Sequence, residues 1–383
     1  MYPTSYRLPR TILYVFIGTQ AMGIGVIISL LADIQDRFGF PTWSLGTIAG
    51  VSFAFTLVAH LWLASFADRG WERRMIAVGG VLAVLALLWM VTASALWQWV
   101  GARALLGFAE GTCVVAARRV VLSWDPDRQG RALSSLTMAL TIGFLVGPPI
   151  AGFLNEIHTG LPFLLPALVE ALLVPFLLVV RPGEYGRSPV RLKRRGLAAI
   201  PGLAPGLFLA ASPWVMIGML DSLWARYMTD LGAGPATIGV GFLALALPSV
   251  FVTPLSGRLA DRINPIRLAL AGAVVELPLV VAFGFATGVP FLLVVAALHS
   301  AAWPFVTPPG QAAVAKVAPP GQAAEAQGLI ESYGLVLASA GALVAPPIYA
   351  AGGPVVLFFA AAAVLAVTPL VVLAKGESWR GVF

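Results

Sequence analysis

Apolar stretches of about 20 residues, each long enough to cross the roughly 30 Å hydrocarbon core of a bilayer, follow one another along almost the whole of this chain. A backbone in hydrocarbon must satisfy its own hydrogen bonds, so runs of this length can only be helices. At 383 residues a soluble chain would form two or three domains, but 59% hydrophobic and 11% charged residues exclude a soluble protein. The spans are expected near 11–32, 42–66, 75–94, 97–121, 130–154, 161–180, 206–228, 236–256, 266–287, 290–312, 327–350 and 353–374. The first exceeds the apolar region of a secretory signal and has no small-residue cleavage pattern before Asp33, so it is read as a span. The expected fold is an all-α membrane protein of twelve transmembrane helices.

One segment of the chain occurs twice. Gln129 to Ile150 and Gln327 to Ile348 align at an offset of 198 with Gln, Gly, Leu, Gly, Val, Pro, Pro and Ile in register. Ala67-Asp68-Arg69 and Ala260-Asp261-Arg262 recur at an offset of 193. Two copies of one six-helix bundle are therefore expected, over 1–180 and 206–383, joined by a basic linker at 181–205.

The net charge of +7 would point to nucleic acid in a soluble protein, but the positions of the charges give it another meaning. Of 24 lysines and arginines, 21 lie at the ends or in the even-to-odd connections; Arg37 and Arg226 lie on the opposite side and Arg103 inside a span. This places both termini in the cytoplasm and needs no nucleic-acid partner. The linker's six basic residues read as a solvated segment, with anionic headgroups as the alternative contact. A single cysteine, Cys113, excludes a disulfide within the chain and a thiolate metal cluster. No metal, cofactor or nucleotide is expected, and the chain is read as a monomer in contact with lipid.

Arg103 and Glu110 stand seven apart on the fourth span, hence on one helix face, with Gly107 and Gly111 offering close approach to a neighbour. An intramembrane arginine costs about 2.5–3.5 kcal/mol without a partner or water, so this pair is either functional or a buried structural pair. The fifth span ends in GFLVGPPIAGF, a packed hinge with glycines four apart and prolines that bend the helix. Further intramembrane polar groups are Gln20, His60, Glu170, Asp221, Glu276, His299 and Glu331. Trp214, Trp303, Phe305 and Tyr333 can line a cavity, whereas Trp224 and Tyr227 read as interfacial anchors. Neither a His-Glu-x-x-His, a Gly-x-Ser-x-Gly nor a nucleotide-binding loop occurs, which argues against an enzyme and against ATP-driven pumping.

These residues together resemble the major facilitator superfamily of secondary transporters, of the twelve-helix drug/proton antiporter type. Gly257 to Asn264, GRLADRIN, fits the family's loop between helices 2 and 3, with Asn264 at a glycine position, where a positive φ is expected. Ala64 to Arg74, ASFADRGWERR, keeps Asp68, Arg69, Arg73 and Arg74 but has Trp71 at the glycine. The resemblance implies a gating role for Asp68, Arg69, Arg73, Gly257, Asp261 and Arg262, with ordinary topology charges as the alternative. Arg103-x-x-x-Gly107 resembles the family's arginine near the proton path. Gly143, Gly147, Pro148 and Gly152 match its helix-5 pattern, which is associated with antiport, though helix packing alone accounts for it equally well.

In the family helices 1, 4, 7 and 10 line the central cavity. That implies Gln20, Gly107, His299 and Trp303 for the substrate, and Glu110, with Arg103 and Asp221, for proton coupling. A carboxyl in a low-dielectric cavity can exchange a proton near neutral pH. The expected function is alternating-access, proton-coupled efflux of a small amphipathic or hydrophobic compound across the cell membrane. The alternatives are a uniporter or symporter of a polar metabolite, a lipid or lysolipid carrier, and a non-transporting receptor on the same fold.

Overall fold

The computed structural model describes residues 7–67, 69–124, 129–177, 200, 203–319 and 322–374, and every regular element among them is helical. In chain order these are α1 (Arg7–Ser29), α2 (Leu31–Phe38), α3 (Trp43–Ala67), α4 (Glu72–Thr92), α5 (Leu96–Trp124), α6 (Gln129–Ile157) and α7 (Leu161–Leu177). There follow α8 (Ala204–Ala211), α9 (Trp214–Asp230), α10 (Pro235–Arg262), α11 (Pro265–Phe283), α12 (Val289–Ala302), α13 (Thr307–Val317) and α14 (Ala323–Ala374). Nine helices among the described residues are long and apolar enough to cross a membrane.

Three expected spans are not single rods. Span 7 is interrupted between α8 and α9 at Ser212–Pro213, because Pro213 has no N–H to offer the Leu209 carbonyl. Span 10 divides into α12 and α13 around a 3₁₀ turn at Trp303–Phe305, in a segment where Pro304, Pro308 and Pro309 withhold three donors. Span 1 stops at Ser29, and the short α2 that follows ends on Gly39 in the left-handed region (φ 65°). Spans 11 and 12 run on as α14, turned at Gly353 by a φ of 69° that an L side chain resists.

The helix starts follow local chemistry. Gln98 accepts the backbone N–H groups of Ser94 and Ala95 at 2.8 and 2.9 Å, closing the first turn of α5. Asn264 caps α11 by accepting from Ile266 and Arg267 at 2.9 and 3.2 Å. Its φ is −59°, so the expected positive φ is not there: the side chain, and not an unusual backbone, makes the turn. In the first copy the left-handed residue is Gly70 (φ 88°), beside Trp71.

The chain divides into two compact units, one of residues 1–187 with 224–229 and 233–242, the other of 188–223, 230–232 and 243–383. In the first, α1 packs on α6, α3 on α5, and α4 on α5 and α7; its core includes Phe16, Ile17, Ile76, Cys113 and Val120. In the second, α8 packs on α13 and α14 around Leu207, Ala210, Val314 and Ile330, and α11 packs on α12 and, through Ile266, Ala269 and Val372, on α14. Val78, Val81 and Leu85 on α4 and Leu165, Leu168 and Leu172 on α7 are exposed at helical spacing, stripes that suit lipid and not water.

Candidate functional site

In the first unit the polar side chains gather where α1, α5 and α7 meet. Gln20, 1% exposed on α1, donates from Nε2 to the Cys113 sulfur at 3.4 Å, and the thiol reaches the Ile76 carbonyl at 3.6 Å. Cys113 fits only because Gly79 faces it; a Cβ there would fall on the sulfur. Glu110, half-buried one turn before Cys113, and Glu170 on α7 both lie within electrostatic reach of that sulfur. Glu170 is fully buried, and neither carboxyl oxygen has a hydrogen-bond partner among the described residues. Glu170 thus belongs to the same buried polar group as Glu110 and Gln20, around Cys113. Sequence reasoning gave Glu170 no role because it stands alone on an apolar helix; only the helix packing brings it to α5.

Arg103 is 1% exposed, and Trp99 one turn before it covers that end of α5, with rings on Phe38 of α2 (6.0 Å) and Phe163 of α7 (5.6 Å). Gly107 and Gly111 lie against α3: a Cβ on Gly107 would meet the Ser52 carbonyl, and Thr56 Oγ1 donates to the Gly107 carbonyl at 2.9 Å. The helix-5 glycines on α6 are used the same way. Cβ atoms on Gly143 and Gly147 would strike the Gly18 and Met22 carbonyls of α1, and one on Gly152 the Pro235 carbonyl at the start of α10. The Pro148 carbonyl in turn lies where a Cβ on Gly239 would be.

Of the residues matched to the gating loops, Asp68 lies outside the described residues. Arg69 lies over the Phe66 ring at 5.4 Å, Arg74 over Trp71 at 5.0 Å, and Arg73 is exposed. The charge buried at this turn is Glu72, in the first turn of α4 and 3.9 Å from Arg119 of α5; it was not singled out because it sits among arginines in a solvent-like segment. In the second copy Gly257 has open space around it, and Asp261 and Arg262 are exposed at the end of α10. At the opposite end of the first unit, Arg226 on α9 binds Asp36 on α2 at 2.6 Å across 190 residues of sequence, a pairing no local pattern signals.

Asp221 on α9 belongs to the second unit and is 8% exposed, beside the buried Ser222. His299 on α12 is 4% exposed, its ring 6.1 Å from that of Trp303 at the helix break, and its Nδ1 lies 3.7 Å from Glu276 Oε1 of α11. Trp224 and Tyr227 are 1% and 3% exposed, so they are not interfacial anchors: Trp224 meets Phe242 edge-on at 6.0 Å inside the first unit. Among the described residues no three histidines, cysteines or acids converge as a metal site.

The sequence model of the Major Facilitator Superfamily matches this chain at residues 13–220 and again at 203–379. The multidrug resistance protein MdtG of Serratia proteamaculans (strain 568) is 27% identical over 352 residues, covering 88% of this chain and 83% of the relative. MdtG of Dickeya zeae (strain Ech586) is 26% identical over 364 residues, 90% of this chain and 86% of the relative. With MdtG of Enterobacter lignolyticus (strain SCF1) the similarity, 26% identity, spans 63% of this chain and 60% of the relative. The fold superposes on an inward-facing, occupied bacterial homolog of the human lysosomal transporter Spinster with a TM-score of 0.84 at 15% identity, over 99% of each chain. The nucleoside transporter NupG superposes with a TM-score of 0.79 at 13% identity, over 96% of this chain and 99% of NupG.

Proposed function

The chain belongs to the Major Facilitator Superfamily, a multi-pass membrane transporter of a small molecule, and on that premise we propose that it exports an amphipathic or hydrophobic compound against inward proton flow. The observation that carries the reading is the polar group of the first unit: a half-buried Glu110 follows a fully buried Arg103 on one helix, with Gln20 and Glu170 buried beside the same helix. A carboxyl in that setting can exchange a proton, while the near absence of asparagine, with only Asn155 and Asn264 in the sequence, suits an apolar cargo better than a sugar. Relatives named as multidrug resistance proteins, at 25–27% identity, support the same direction.

In this reading Glu110 carries the proton near Arg103, Asp221 is the second candidate for that role, and Gln20, Gly107, His299 and Trp303 are the residues proposed for the substrate. The six-helix halves, 1–180 and 206–383, rock about the 181–205 linker with both termini in the cytoplasm. Asp68, Arg69, Arg73, Gly257, Asp261 and Arg262 make up the proposed gating loops, and the α6 glycines act as the hinge.

The test is proton movement in liposomes holding the purified protein, with an imposed pH gradient and a panel of lipophilic cations, lysolipids and sugars. A lipophilic cation is expected to dissipate the gradient through the wild type, with a loss of roughly tenfold or more in Glu110→Gln. Substrate movement without proton movement, or a lysolipid or sugar as the active compound, overturns the reading.

A further inference from the structure

In the second unit two titratable side chains face each other where two helices are interrupted. Glu276 lies on α11, roughly 10 Å along the axis from the end at Phe283, and is 3% exposed. Its Oε1 stands 3.7 Å from Nδ1 of His299 on α12, and neither atom has a hydrogen-bond partner among the described residues. That separation is slightly too long for a hydrogen bond and short enough for one proton between the two atoms to close it. The imidazole is held edge-on by Phe283 at 5.5 Å and Trp303 at 6.1 Å.

A cavity of about 10 Å³ opens beside Glu276, the room of a single water, lined among others by Leu209, Ser212, Pro213 and Val306. Both helix breaks border it. Pro213 withholds an N–H from the Leu209 carbonyl on one side, and on the other the 3₁₀ turn ends at Val306. Irregular backbone at membrane depth is stable where it lines such a cavity, and it supplies polar groups to a passing water.

Helix α8 contains no ionisable residue, α12 contains only His299, and residues 354–374 of α14 contribute Leu365 and Pro369 to the cavity. Helix α10 packs on α12 through Ser249 and Ser300 and carries Arg258, Asp261 and Arg262 toward its last turn, about 13 Å or more along the axis from Ser249; Arg267 stands on α11 itself, roughly 13 Å along the axis from Glu276. Lys316 stands in the last turn of α13, about 15 Å along the axis from Val306.

We infer that Glu276 and His299 together form a proton-binding site of the second unit, filled and emptied through this cavity. The inference rests on the reading of the chain as proton-coupled. Loaded, the pair holds one proton between carboxyl and imidazole and is neutral overall. Emptied, the bond from that proton to oxygen or nitrogen breaks, a bond to the cavity water forms, and a carboxylate beside a neutral imidazole is left with a net charge of −1. A hard cation would instead need several oxygen ligands, and here one ligand is a nitrogen and the surroundings are apolar. The emptied carboxylate draws water through the broken helices, so proton occupancy and the geometry of α8–α9 and α12–α13 are linked.

The experiment is infrared difference spectroscopy of the full chain reconstituted in lipid, titrated across neutral pH without substrate, reading the carboxylic C=O band. One titrating band is expected to be lost in Glu276→Gln, to move by about one pH unit in His299→Asn, and to persist in Glu110→Gln. Glu276→Asp, which keeps the acid but shortens its reach, is expected to retain the band at a shifted midpoint, so a poorly folded Gln variant does not leave the question open. A band unchanged by Glu276→Gln and Glu276→Asp, one indifferent to His299→Asn, or one removed by sodium at constant pH overturns the inference. Liposome flux is measured separately: its loss of proton coupling with the band intact strikes the proposed function, and the reverse strikes only this site.

Discussion

At the scale of single residues, the described interior uses side chains to do what the sequence pattern assigned to backbone. Asn264 sits where a glycine was expected and shows an ordinary φ of −59°, holding the start of α11 with its side-chain oxygen. Asn264→Ala is therefore expected to cost about 1 kcal/mol and Asn264→Gly only a few tenths, read as the thermal midpoint in detergent. A gain of stability in the glycine variant would mean that the turn wants a positive φ after all. Residues of this kind were hard to read because one chemical identity serves two geometries: Asn is the common choice for both a left-handed turn and an N-cap. Trp224 and Tyr227 misled for a related reason, since an aromatic near a span end is equally at home among lipid headgroups or, as here, against Phe242 and its neighbours.

At the scale of helices, close approach is set by where glycines have a backbone opposite them. The carbonyl of Gly18 occupies the place of a Cβ on Gly143, and that of Val215 the place of one on Gly341, 198 residues later, so the two copies of the repeated segment pack alike. Gly143→Ala is expected to cost roughly 1–3 kcal/mol by overpacking. Gly257→Ala, in a helix with nothing near it, is expected to be neutral or to gain about 0.5–1 kcal/mol. Thermal unfolding of the two variants side by side checks both, and equal effects would show that the backbone contact does not matter. The helices themselves were legible because twenty apolar residues leave no other solution in hydrocarbon. Their interruptions at Pro213 and at Trp303–Phe305 were not, because proline scarcely lowers the apolar character of a window while removing the hydrogen bond that continuity needs.

At the scale of the whole molecule, the grouping of contacts does not follow the linker. Residues 224–229 and 233–242 lie beyond it in sequence and yet belong to the first compact unit, tied there by Asp36–Arg226 and by Gly152 against Pro235. A chain cut within 181–205 and expressed as two pieces is therefore expected to yield a complex that co-purifies in detergent. The first piece alone is expected to melt lower than the complex, since Phe144 loses Phe242. Two independently stable pieces that fail to associate would contradict this. Family membership was legible from the repeated segment and the loop motif; the Glu276–His299 pair was not, since its members stand 23 residues apart on neighbouring helices with no motif between them.

Gly353 has a consequence for how the protein is made. Residues 323–374 form two apolar lengths joined at a single residue, with Pro354 next to it and no hydrophilic segment between. Such a hairpin offers the insertion machinery no point at which to pause after the first arm. The two arms are therefore expected to enter the bilayer together, so that residues 323–374 insert as one event.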